Sequence, residues 1–175
     1  MFRNACPCLL EGMACSPGND SRTVFQQLLH CMGGHERHTN KLLLKAASTI
    51  SLSQDAKAPC LALRYTCVVW KLPPALCKRG ECLPNGVRSI VGNGGPPFHV
   101  DRVLRMIIQD DDPNAQHIAS WIVSSVADVC GDVFDVVRLN VREIAVDNAG
   151  DEGLAGKYMM KAFPNMSSRL HQCHV

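Results

Sequence analysis

Aromatic side chains are scarce in this chain: its 175 residues include two Trp, two Tyr and five Phe. The hydrophobic share of 46% therefore rests mainly on Leu, Val, Ile, Ala and Cys, a composition that suits helices packed on helices. No apolar run approaches the ~20 residues needed to cross a bilayer, so no membrane span is expected. The opening MFRNACPCLLEGMACSPGND lacks the apolar core of a secretory signal, so none is expected there either. Net charge is small: a formal balance of +2 gives no bulk electrostatic pull toward nucleic acid or an anionic membrane. Neither is expected as a partner. The length suits one domain with a sizeable core.

Cysteine, in contrast, is plentiful, with ten in all. Without a secretory signal the cysteines read as reduced thiols acting as small buried hydrophobes. Cys60, Cys67 and Cys130 sit among apolar neighbours, as that reading requires. A zinc site would gather Cys6, Cys8, Cys15, Cys31, His35 and His38, but C-x-C followed by C-x3-H-x2-H is not a compact ligand pattern. Neither metal nor cofactor is expected. No nucleophile, base and orienting group assemble from the pattern, so an enzyme is not expected either.

The apolar spacing predicts helices nearly throughout. SRTVFQQLLHCMGG places Val24, Phe25, Leu28 and Leu29 on one face, with Gly33-Gly34 as a stop. TNKLLLKAASTISL places Leu43, Ala46, Ala47 and Ile50 on another, and DAKAPCLALRYTCVVWKL reads as a third helix closed by Pro73-Pro74. Val100, Val103, Leu104, Ile107 and Ile108 recur at three and four residues, as do Ile118, Ala119, Ile122, Val123 and Val126. Between these two runs, Asp110, Asp111 and Asp112 before Pro113 read as a corner and helix cap rather than a metal or acid/base cluster. DVFDVVRLNVREIAVD and GLAGKYMMKAF read as further helices, and GNGGPP as a glycine turn rather than a phosphate loop.

GNGGPPFHVDRVLRMIIQDDDPNAQHIASWIVSSVADVCGD resembles an armadillo repeat, with Ala119, Trp121 and Ser124 at the pattern positions of a third helix. More narrowly, this segment, GNDSRTVFQQLLHCMGG and CVVWKLPPALCKRG resemble the central repeats of the importin alpha family. The resemblance implies an all-α, right-handed armadillo superhelix forming a single domain over 1–175. A partial leading repeat would occupy 1–20, central repeats 21–80 and 81–131, with an insertion near 80–90, and a partial trailing repeat 132–175. It also implies an adaptor for nuclear protein import that shuttles between cytoplasm and nucleus. Such an adaptor holds a basic peptide, the nuclear localisation signal of its cargo, in a concave groove and engages other transport factors.

The residues carried over as peptide-binding are Trp70, Trp121 and Ser125. Tryptophan faces would take the aliphatic stems of Lys and Arg. The family's asparagine, one turn after each tryptophan, is replaced here by Pro74 and Ser125. A hydroxyl cannot present both amide donor and carbonyl acceptor, so the peptide clamp would be weakened. Two alternatives stand beside this reading: an armadillo interaction protein without cargo recognition, and a small Cys/His metal-binding protein.

Overall fold

The segment CLALRYTCVV buries Leu61, Leu63, Tyr65, Cys67 and Val69 and leaves Arg64 exposed between them. That period of two belongs to a strand, not to a helix. The computed structural model describes residues 21–57, 60–77, 83–108, 114–145 and 152–167. Two compact units divide the chain, residues 1–38 and 39–175. Of the first, the described part is the leading portion of a helix. The second holds the sheet and everything that follows.

The elements run α1 (Ser21–Ala46), β1 (Ile50–Lys57), β2 (Cys60–Val69), β3 (Val87–Ser89), β4 (Phe98–Ile108), α2 (Ala115–Cys130), α3 (Phe134–Asn140), β5 (Val141–Ala145) and α4 (Glu152–Ala162). The strands form one five-stranded sheet in the order β3-β4-β2-β1-β5. All neighbours are antiparallel except β1 and β5, which run parallel. This mixed α/β architecture overturns the all-α armadillo superhelix, and no concave stack of helical triplets is present among the described residues.

One face of the sheet carries the core. Ile50 and Leu52 of β1, Leu63, Tyr65 and Val69 of β2 and Val100 of β4 join one cluster with Leu43 and Leu44 of α1, Ile122 and Val126 of α2, and Met159 of α4. Each such aliphatic side chain contributes about 1.5–3 kcal/mol by leaving water. The opposite face carries Ser51, Ser53, Arg64, Thr66, His99 and Asp101, all half-buried or exposed. Helices therefore cover a single face, the usual arrangement for an antiparallel sheet with one side free to be polar.

Several local expectations change with the architecture. Gly33-Gly34 do not stop α1, which continues to Ala46; a glycine inside a helix costs about 1 kcal/mol against alanine but does not forbid it. The run from Val100 to Ile108 is strand β4, and DVFDVVRLNVREIAVD divides into α3 and β5. α2 and α4 are helices as expected. The cap of α2 is Asn114, whose side chain accepts from the N–H groups of Gln116 and His117 at 3.1 and 3.0 Å. Asp110, Asp111 and Asp112 lie outside the described residues, as do Cys6, Cys8 and Cys15.

Two thiols of the sheet and α2 behave as core, while the side chain of Cys60 lies outside the described residues. Cys67 and Cys130 are buried, and burial pushes both thiol pKa values up to about 12. Cys77 is exposed. Iodoacetamide at pH 8 is therefore expected to alkylate Cys77 in the folded protein and to spare Cys67 and Cys130, because the thiolate is the reactive form. Peptide mass spectrometry reads the outcome. Rapid alkylation of Cys67 under native conditions would show that β2 does not face the core.

Candidate peptide-binding edge

β4 is eleven residues long, and β3 covers only the stretch Phe98–Val100 of its outer side. The chain turns into β3 at Gly86, whose positive φ of 76° suits glycine. The Gly86 carbonyl accepts the Asp101 N–H at 2.8 Å, extending the pairing by one residue. Beyond Asp101 the outer edge of β4 has no strand partner among the described residues.

The register shows which backbone groups this edge presents. Asp101 and Val103 lie opposite Thr66 and Arg64 of β2, and a bulge at Leu104 then brings Arg105 opposite Leu63 and Met106 opposite Ala62. Asp101 N–H points outward to Gly86, and the Val103 carbonyl points outward to Asn40. Their partners Thr66 and Arg64 have the same parity as Ala62, so the partner of Ala62 also turns its N–H and C=O away from β2. That residue is Met106. Its side chain is 61% exposed, and Val103 beside it is 42% exposed. Beyond Val103, whose carbonyl Asn40 already occupies, the edge thus turns the Met106 N–H and C=O outward beside apolar side chains, with no strand partner among the described residues.

The edge is held in place from behind by a buried polar network. Asn40 of α1 donates from Nδ2 to the Val103 carbonyl at 3.1 Å. Its Oδ1 accepts from Tyr65 Oη at 3.1 Å and from Arg102 Nε at 2.7 Å. Arg102 also donates to the Asn85 carbonyl, on the approach to β3. One asparagine therefore ties α1, β2 and β4 together. The bonds to Tyr65 and Arg102 are buried, where they are stronger than in water, and the bond to Val103 is part-buried. Arg105 Nη1 reaches Asp128 Oδ2 of α2 at 2.7 Å. That exposed pair adds little stability but holds the arginine toward α2.

Two other features complete the polar surface. On the open sheet face, Asp101, Thr66, Ser51 and Glu143 stand opposite one another across four strands. Arg64 bridges to both Asp101 carboxylate oxygens at 3.1 and 3.2 Å, and Ser51 Oγ donates to Glu143 at 3.3 Å. Between α2 and α4 lies a shallow cleft of about 350 Å³ lined by Gln116, Ala119, Ser120, Val123, Ser124 and Tyr158. Within it, Ser124 Oγ donates to the Trp121 carbonyl at 3.0 Å. Among the described residues no group of three or more His, Cys, Asp or Glu side chains is placed to hold a metal ion.

The three residues carried over from the armadillo resemblance are not brought together as a ladder. Trp70 follows the end of β2 and is 66% exposed. Trp121, on α2, is half-buried against the core, with its Nε1 enclosed and without a hydrogen-bond partner. Ser125 is fully buried, and its Oγ also has no partner. A hydroxyl in that position faces the core, not a peptide. Residues that the spacing did not single out, Asn40, Tyr65, Arg102 and Met106, build the edge. A signal for them was present in the alternation of β2 and in a polar Asn40 within an apolar helical stripe. Compared with protein-family models, with characterised proteins and with solved structures, the chain shows no significant match.

Proposed function

We propose that this protein is a binding module that takes an extended, basic peptide as an added strand along the outer edge of β4. The observation that supports the proposal is the stretch of β4 beyond Val103, which has no strand partner among the described residues and turns the Met106 N–H and C=O outward. Added strands gain affinity from main-chain hydrogen bonds and specificity from alternate side chains. The preference for a basic ligand rests on charge. In the sequence, β4 is followed directly by Gln109, Asp110, Asp111 and Asp112, three carboxylates in succession. Segments of the nuclear-localisation type supply such peptides, which keeps the partner class of the armadillo resemblance while replacing its groove.

A labelled lysine-rich peptide titrated at two salt concentrations tests this. Wild type is expected to bind, and more weakly at high salt, because exposed charge pairs are screened. Met106→Pro removes one outward N–H, and proline is tolerated on an edge strand. Affinity is expected to fall about tenfold in this variant, as for loss of one well-made hydrogen bond, while Met106→Ala falls less. Unchanged binding by Met106→Pro, or equal binding of a glutamate-rich peptide, refutes the proposal.

A further inference from the structure

At the end of the sheet remote from Met106, the register gathers three exposed apolar side chains. Phe98 of β4 lies opposite Val69 of β2 on one side and Ser89 of β3 on the other. Trp70 follows Val69, Ile90 follows Ser89, and the Ile90 N–H donates to the carbonyl of Pro97 at 2.9 Å. Trp70, Pro97 and Ile90 therefore line one rim, with Trp70 and Ile90 separated by about two strand spacings, ~9.5 Å. Trp70, Ile90 and Val91 are 66%, 54% and 50% exposed. Exposed apolar groups gathered at one place mark an interaction site more often than scattered ones do.

Among the described residues the charge at this rim has one sign. Segments 60–77 and 83–100 contain Arg64, Lys71 and Arg88 and no Asp or Glu. Arg64 is engaged by Asp101. Lys71 and Arg88 are exposed, and neither joins an ion pair among the described residues. The small net charge of the whole chain thus conceals a cationic, apolar rim. It is built from a strand end and a turn rather than from the walls of a groove. A tryptophan and two β-branched side chains flanked by cations match the interface of an anionic bilayer, where indole settles at headgroup depth and Lys and Arg meet phosphate. No described helix is long and apolar enough to cross a membrane, so this contact would be peripheral.

We propose that the Trp70–Ile90–Val91 rim docks the protein on an anionic lipid surface, with Lys71 and Arg88 as the charge contacts. Few groups take part, so binding is weak and reversible. The test uses the full chain with vesicles of phosphatidylcholine alone and with about a third phosphatidylserine, read by co-sedimentation. Quenching by brominated lipid supplies a second readout. Wild type is expected to bind the anionic vesicles, release at high salt, and show quenched tryptophan emission. Trp70→Ala is expected to bind roughly tenfold more weakly and to lose the quenching, with an unchanged melting curve because the side chain is mostly in water. Lys71→Glu combined with Arg88→Glu abolishes the lipid preference. Equal partition of wild type and Trp70→Ala overturns the proposal. So does Trp70-dependent capture of a glutamate-rich peptide without vesicle binding, which would make the rim an acidic-protein site.

Discussion

Asn40→Ala is expected to destabilise the fold by about 3 kcal/mol, since it removes three hydrogen bonds from one buried point. Tyr65 Oη and Arg102 Nε lose their shared acceptor, and the Val103 carbonyl loses its donor. Alanine also leaves a space that no water-exposed group fills, because Asn40 is itself buried. For a domain of this size the change corresponds to a fall in melting temperature of roughly 6–12 °C. Tyr65→Phe, which removes a single donor, should cost about 1 kcal/mol. Asn40→Asp keeps an acceptor for both donors and should fall between the two. Thermal melts followed by circular dichroism order the three variants. If Asn40→Ala melts within a degree or two of wild type, the network does not tie α1 to β2 and β4.

Gly86→Ala is the second large effect. At φ 76° an L residue is already strained. A β-carbon there would lie 2.2 Å from the Asp101 carbonyl oxygen and 2.7 Å from Arg102 Cγ. The first is backbone and cannot yield without moving β4, so the turn must open. The Asp101 N–H to Gly86 C=O bond and the pairing of β3 are lost with it. A cost on the order of 3 kcal/mol is expected, the sum of backbone strain and overpacking. Hydrogen exchange should locate the damage at Asp101 and at Val87–Ser89. A variant as stable as wild type would show that Gly86 is not in the left-handed conformation.

How much of this was legible in the sequence varied by element. The stripes of α2 and α4 were readable, because Ile118, Ile122 and Val126 and then Ala155 and Met159 face one core. β2 was misread because apolar Ala62 and Val68 sit on its outer face and blur the alternation of Leu61, Leu63, Tyr65, Cys67 and Val69. In β4 the cause is the bulge. It inserts Leu104 and reverses the alternation beyond it, so Val100, Leu104 and Ile107 take spacings of four and three residues that imitate a helix. A β-branched and aromatic composition argued for strands in both, and periodicity alone overrode it.

The candidate site was less legible still. Free main-chain groups leave no mark in a side-chain pattern, since what exposes Met106 is the brevity of β3, whose extent depends on the turn at Gly86. The two tryptophans drew attention through the armadillo resemblance, yet Trp121 serves packing and Trp70 stands at the far rim of the sheet. Ser125 shows the limit of position-by-position transfer. It sits one turn after Trp121, where a groove-lining polar residue was expected, but the stripe of α2 turns it fully inward.

Amide hydrogen exchange with and without a saturating lysine-rich peptide tests the central claim most directly. A peptide strand added to β4 accepts from the Met106 N–H, so exchange there should slow markedly on binding, with little change at the Ala62 and Leu63 amides on the far side of β4. Saturable binding that leaves Met106 exchange unaltered, or that protects α2 and α4 around Ser120 and Tyr158 instead, would contradict strand addition and place the ligand elsewhere.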